Sequence, residues 1–109
     1  MSVTVNLPEV ILEINDTLLA GETNTEEYTP EAGKTVTVLT YFAEIPFSEE
    51  VVSCLGWDGN AEWSIRESGH MPFIKTFVGD GVKKLEVQMH NVNASSPQAV
   101  SARVVLDVR

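Results

Sequence analysis

Two histidines are the first candidates for catalysis or metal binding in this sequence. His70 lies in a Gly-His-Met-Pro segment, and His90 falls on the polar side of an alternating run. They are twenty residues apart in the chain, and no carboxylate stands at ligand spacing from either. This pattern does not match a zinc site. We interpret both histidines as surface or loop side chains, and we predict no metal and no cofactor.

Carboxylates and amides could also act as acids, bases or calcium ligands. Adjacent glutamates stand at 26–27 and 49–50, and oxygen ligands could come from Asp58, Asn60 and Asp80. Paired carboxylates on an exposed segment are usually solvated charge, and Asp or Asn beside glycine is typical of turns. No segment has the spacing of a calcium-binding hand or of a phosphate-binding loop. The sequence therefore predicts a protein that is not an enzyme.

Aromatic side chains give the best binding hypothesis. Trp57 stands beside the Asp-Gly turn pair, where an exposed ring could anchor a protein interface or stack on a sugar. The structural alternative is a pair of Trp57 and Trp63 packed on one hairpin. Tyr28 is the aromatic residue of the acidic segment 21–33, which we interpret as a loop that either binds a partner or has no role. We predict Trp57 and Tyr28 as partner-binding residues.

Composition and charge limit the classes of partner. The chain has 109 residues, 43% hydrophobic and 21% charged, which predicts a single globular domain over residues 1–109. Its net charge of -9 would repel nucleic acid and anionic membranes, and no apolar run approaches the length of a membrane-spanning helix. We therefore expect a protein partner, with no nucleic acid and no membrane.

The charge is concentrated in the first part of the chain. Residues 1–60 have a net charge of -10, whereas residues 61–109 have a net charge of +1. Such asymmetry is typical of an acidic face or edge, which either steers a basic partner or only keeps the protein soluble.

Cysteine usage and the N-terminal sequence bear on the compartment. Cys54 is the single cysteine, so no disulfide can form within the chain, which favours synthesis in a reducing compartment. Because it lies among valines and a leucine, we expect a buried, inert thiol. The first residues lack the features of a secretory signal, so we expect a cytoplasmic location.

The elements that position these residues show a period of two. Valine alternates with threonine from residue 35, and apolar residues alternate with polar ones over 84–90 and 100–108. Each run predicts a strand with one buried and one wet face, with Val104 on the buried side of the last. Ile11 and Val105 break the polar side of their strands, which fits strands covered by another chain or by a loop.

Turn signals separate seven or eight predicted strands. Gly79-Asp80-Gly81 and Asp58-Gly59-Asn60 are typical of tight turns with positive φ angles. No segment shows a helical stripe. The pattern predicts one antiparallel β-sandwich, immunoglobulin-like or jelly-roll in type. The predicted strands are 3–6, 10–15, 35–42, 51–55, 63–66, 73–78, 82–91 and 99–108.

The whole profile resembles the small β-sandwich decoration (cement) proteins of tailed-phage capsids. The resemblance lies in size, disulfide-free β composition, acidic charge and the lack of an enzymatic motif, and no specific motif carries it. It implies a virion protein that folds in the host cytoplasm and then binds and stabilises the capsid exterior. It also implies coat subunits as the partner, and a dimer or trimer as the oligomeric state.

The resemblance directs attention to the N-terminal residues. Val3, Val5 and Leu7 alternate within residues 1–8, which could extend as an arm and add a strand to a neighbouring sheet. An ordinary first strand of the sandwich is the other interpretation. The alternative function is a carbohydrate-binding or adhesion module that uses exposed Trp57, Tyr41 or Trp63 as stacking platforms.

Overall fold

A computed structural model describes residues 9–45, 51–65, 68–71, 75–92 and 96–109. Predicted strand 3–6 and the proposed arm at residues 1–8 lie outside these ranges. The described residues form nine strands and no helix. The strands are β1 (Glu9–Leu18), β2 (Thr23–Tyr28), β3 (Thr35–Glu44), β4 (Val51–Trp57), β5 (Asn60–Ile65), β6 (Gly69–Met71), β7 (Lys75–Val78), β8 (Leu85–Asn91) and β9 (Gln98–Val108).

The strands form two antiparallel sheets. The first sheet has the order β1-β9-β3-β6, and β7 also pairs with β3. The second has the order β2-β8-β4-β5. Apolar side chains from both sheets meet in one buried layer, as expected when each strand alternates between an inner and an outer face. The all-β sandwich that the period of two predicts is confirmed, with nine described strands instead of seven or eight.

A polar pair in the core links the two sheets. Tyr41 on β3 and Ser53 on β4 are both fully buried, and their hydroxyl groups form a hydrogen bond. Burial raises the pKa of Tyr41 to about 12, although the hydrogen bond to Ser53 acts in the opposite direction. The core therefore holds a neutral phenol whose polar end is satisfied.

A β-bulge in β3 sets the orientation of its second half. The pairing of β3 with β9 shifts between Val38 and Thr40, so Leu39 is the extra residue and is exposed. Before the bulge Val36 and Val38 face the core, and after it Tyr41 and Ala43 do.

The segment predicted as a loop at 21–33 contains β2, so that prediction is wrong. β2 pairs with β8 along its whole length, from Thr23 opposite His90 to Tyr28 opposite Leu85. Asn24 and Glu26 occupy the phase that would face the core in an inner strand. Because β2 is an edge strand, these polar side chains reach solvent, and the apolar alternation that reveals the other strands is missing.

The segment around His70 is a short strand, β6, instead of the predicted loop. His70 pairs with Phe42 of β3. Three residues, one of them glycine, are too few to show a period, which is why the sequence pattern does not reveal this strand.

The two glycine turns differ in their roles. Asp58 and Gly59 have φ angles of 53° and 79° and form the predicted two-residue turn of the β4–β5 hairpin. The segment that follows Gly79 instead carries the chain from β7 in the first sheet to β8 in the second. Asp80 Oδ1 accepts hydrogen bonds from the backbone N–H groups of Lys83 and Val82, which lower the pKa of its carboxyl group.

This crossover is fastened to the loop before β3 by backbone hydrogen bonds. Gly33 N donates to Gly79 O at 3.0 Å, and Gly79 N donates to Lys34 O at 2.8 Å. A Cβ on Gly79 would lie 2.7 Å from the carbonyl oxygen of Glu31 and 2.8 Å from Pro30 side-chain atoms. Glycine is therefore needed at position 79 for close backbone approach, while its neighbour Gly81 has the positive φ of 84°.

Candidate protein-binding surface

The outer face of the first sheet is organised in rows that cross β1, β9 and β3. Residues that pair across the three strands share a row, because the side chains of directly opposite residues point to the same face. One row is polar, one has two opposite charges and an aromatic ring, and one is apolar at two of its three positions. The rows are Asn15, Ser101 and Glu44; Glu13, Arg103 and Phe42; and Ile11, Val105 and Thr40.

Three large apolar side chains are exposed on β1 and β3 of this face, and Val78 of β7, opposite Thr35, is a fourth. Ile11 is 41% exposed, Leu39 is 40% exposed and Phe42 is 37% exposed, and Val105 lies half-buried beside Ile11. Single exposed apolar residues are ordinary, but several on one sheet face are typical of an interaction site. The apolar breaks that the sequence shows at Ile11 and Val105 are thus adjacent in the fold.

Two polar atoms on the same face are buried without a hydrogen-bond partner in the described part of the chain. They are Thr40 Oγ1 and Asp107 Oδ1. An unsatisfied buried polar group costs about 1–3 kcal/mol.

A cavity of about 870 Å³ opens at one end of this face. Phe42 and Glu44 of β3 line one side, and Asn15 and Thr17 of β1 line the other. Ser101 on β9 lies between them and donates a hydrogen bond to Glu44 Oε2 at 3.4 Å. The volume falls in the range of sites that bind small molecules or side chains.

Acidic residues of β1 and β2 form one edge of the sandwich, which we call the acidic edge. The two strands lie at the same side of the molecule, where Asn24 Nδ2 donates to Asp16 Oδ2 at 3.2 Å. Lys84 Nζ is 3.2 Å from Glu27 Oε2. The acidic edge consists of Glu13, Asp16, Glu22, Glu26 and Glu27, all exposed. The edge explains where much of the negative charge of residues 1–60 lies.

Two of the predicted partner-binding residues, Tyr28 and Trp57, share one row of the second sheet, because both lie opposite Leu85 of β8. Val3, Val5 and Leu7 lie outside the described residues. Tyr28 is the last residue of β2, and Trp57 is the last residue of β4. Both are half-buried and pack against the core. Their role in partner binding stays a prediction.

Each tryptophan has a neighbour over its ring. Trp57 stacks on Phe77 with ring centroids 4.8 Å apart, and Lys75 Nζ lies 5.6 Å from the ring centroid of Trp63.

Tyr41 is fully buried, so the prediction that it could be an exposed sugar platform is wrong. The β-bulge turns it inward. Little aromatic surface at these three positions is therefore open for stacking on a sugar.

The candidate metal and redox residues are dispersed. No group of three or more His, Cys, Asp or Glu side chains in the described ranges is placed to hold a metal ion. His70 and His90 are on different sheets. Cys54 is half-buried instead of buried, with its Sγ 3.4 Å from Ser64 Oγ. Ser53 takes the inward position next to it because of its bond to Tyr41.

The sequence analysis missed Phe42 and Glu44 as members of a site. Phe42 follows Tyr41 directly, so an alternating pattern places only one of the two rings outside. Which one is outside depends on the extra residue at Leu39. The signal is the distance of three residues between inward Val38 and inward Tyr41, where a regular strand has two.

Comparisons with known proteins add distant structural neighbours. No protein-family profile and no curated protein matches the chain. The periplasmic inhibitor of g-type lysozyme PliG from Aeromonas hydrophila superposes with a TM-score of 0.49 and 14% identity, over 100% of this chain and 93% of that one. Dimeric latent PorU from Porphyromonas gingivalis superposes with a TM-score of 0.39 and 11% identity, over 94% of this chain and 13% of PorU. At these similarities neither bears on function.

Across the described ranges, no helix is both long and apolar enough to span a membrane.

Proposed function

We propose that this chain is a non-enzymatic binding protein that docks onto another protein through the outer face of its first sheet. The observation that carries the proposal is the group of exposed apolar side chains on that face, Ile11, Leu39 and Phe42. Burying them against a partner would remove apolar surface from water, which is the main favourable term in protein association.

The acidic edge supports a basic partner surface. It adjoins the docking face because β1 belongs to both. Charged residues at the rim of an interface mostly raise the association rate and select the partner, whereas buried apolar groups hold the complex together. The two features thus have complementary roles.

The specific form of the proposal is a capsid decoration protein that binds coat subunits as a dimer or trimer. What supports it is the resemblance in size, disulfide-free β composition, acidic charge and lack of catalytic motifs.

The test is co-sedimentation of the purified chain with phage heads that lack their decoration protein, taken from the same source. We expect the chain to sediment with the heads, and Ile11→Asp or Phe42→Ser to abolish this without unfolding the domain. Val82→Ser is the control, because Val82 is 75% exposed and lies in the crossover between β7 and β8, outside β1, β9 and β3.

Two results would contradict the proposal in different ways. Face variants that bind as well as the parent chain would exclude the docking face. Absence of binding to heads, together with face-dependent binding to another purified protein, would exclude the capsid and keep the binding function.

A further inference from the structure

The cavity at the end of the docking face has a distinct chemistry. Its lining combines the exposed ring of Phe42 with hydroxyl and amide groups from Ser101, Thr17 and Asn15. Asp16 and Glu44 also line it, and no Lys or Arg of the described residues does; Glu44 is on the outer face, whereas Asp16 pairs with buried Val100 and so has the inner phase of β1. The Glu44 carboxylate attracts a cationic group and repels an anionic one, while Arg103, directly opposite Phe42, places one positive charge beside the cavity.

The two carboxylates differ in the number of hydrogen bonds that they already accept. Asp16 already accepts hydrogen bonds from Asn24 Nδ2 at 3.2 Å and from the backbone N–H of Thr17 at 2.8 Å. Glu44 accepts only the long bond from Ser101 and makes no ion pair within the ranges that the structure describes. Glu44 is thus the group with free capacity for a cation.

Phe42 and Glu44 are two residues apart on β3 and point to the same face. An aromatic ring attracts a cation placed over its face, and a carboxylate binds a guanidinium with charge-assisted hydrogen bonds. A neutral sugar could also stack on Phe42, but it would leave the charge of Glu44 uncompensated. The pair therefore favours a cation over a saccharide.

We propose that this cavity receives a basic side chain of the partner protein, with its cationic group against Glu44 and its planar or alkyl part on Phe42. The inference rests on the proposed function and names the partner chemistry at one part of the docking face. The cavity volume leaves room for the backbone that carries this side chain.

The test is a titration of the isotope-labelled full chain with acetyl-Gly-Arg-Gly-amide, followed by NMR. We expect shift changes confined to the cavity at Asn15, Phe42, Glu44 and Ser101. The same peptide with citrulline in place of arginine keeps the shape and loses the charge, so it should bind about fivefold more weakly. Methyl glucoside serves as the saccharide probe and should cause no change there.

Variants give the second part of the test. Glu44→Gln and Phe42→Ala should each weaken the arginine peptide by about fivefold. Their controls are Glu86→Gln on the outer face of the second sheet and Val82→Ala in the crossover, which should leave binding unchanged.

Several outcomes would overturn the inference. They are equal binding of the citrulline peptide, shift changes spread along the acidic edge, equal effects of Glu44→Gln and Glu86→Gln, and binding of the sugar instead of the peptide. If partner docking depends on Ile11 but not on Glu44, the proposed function holds and this inference fails.

Discussion

At the scale of single residues, the Tyr41–Ser53 pair is the polar contact on which the core depends most. Each hydroxyl lies in an apolar layer with the other as its partner, so removing one leaves the other without compensation. An unsatisfied buried group costs more than the net value of the bond itself. The pair therefore links the stability of the two sheets through one contact.

A double-mutant cycle tests this link. Tyr41→Phe and Ser53→Ala should each lower the free energy of unfolding by about 1–3 kcal/mol, because each leaves one buried hydroxyl unpaired. The double variant should lose less than the sum of the two, since no orphan group remains. Urea denaturation of the four proteins measures the difference. Strict additivity would mean that the two hydroxyls do not depend on each other.

Stability should also fall in alkali. The pKa of Tyr41 is raised to about 12 in the folded chain from 10.0, so the unfolded chain releases this proton first. The stabilisation from the neutral phenol is therefore complete below pH 10.0 and is lost as the pH rises towards about 12. Urea denaturation over this pH range should show that the free energy of unfolding falls more steeply with pH in the parent protein than in Tyr41→Phe. Equal slopes would contradict the assignment.

Val104 and Val105 offer a matched pair on β9. Val104 is fully buried between β1 and β3, whereas Val105 is half-buried on the outer face. A charge at position 104 should cost as much as the whole stability of a domain, about 5–15 kcal/mol. We expect Val104→Asp not to fold and Val105→Asp to fold, as measured by circular dichroism and thermal unfolding. A folded Val104→Asp would reverse the phase of β9.

At the scale of elements, the period of two predicts most strands but not their neighbours. Regular alternation places β1, β3, β8 and β9 because apolar residues occupy every second position. The sequence pattern does not predict β2, because an edge strand can carry polar residues such as Asn24 and Glu26 at the positions that would otherwise face the core. Strand order depends on contacts far apart in sequence, such as that of β1 with β9, and local patterns do not encode it. The candidate site shares this limit because its rows come from three strands.

The crossover between the sheets is sensitive to one methyl group. Gly79→Ala places a Cβ against the Glu31 carbonyl oxygen and Pro30, which are held by backbone bonds and cannot yield freely. We expect Gly79→Ala to lower the free energy of unfolding by about 1–3 kcal/mol, as measured by urea denaturation. Gly59→Asn is the comparison, because the β4–β5 turn needs only a positive φ, which Asn tolerates. Equal losses in the two variants would show that close approach at Gly79 is not limiting.

At the scale of the whole molecule, the uneven charge and the apolar face act on different rates. The acidic edge projects a field towards an approaching partner, and the docking face forms contacts only after the encounter. A molecule of net charge -9 also repels further copies of itself. The charge thus favours binding to a basic partner surface.

Association with the partner should therefore depend on salt. We expect the association rate to fall on the order of tenfold between low and physiological ionic strength, with the dissociation rate nearly constant. Replacing Glu13 and Glu26 with Gln should reproduce part of this fall at low salt. Surface plasmon resonance with the bound coat protein separates the two rates. If salt changed mainly the dissociation rate, this would contradict a steering role for the acidic edge.

The single extra residue at Leu39 has a consequence for how the binding face and the interior can change. If Leu39 instead paired in regular register, every side chain after Val38 on β3 would exchange sides, so the phenol would enter solvent while Phe42 and Glu44 entered the apolar core. The interior of the sandwich and the chemistry it offers to a partner are therefore fixed by the same irregularity.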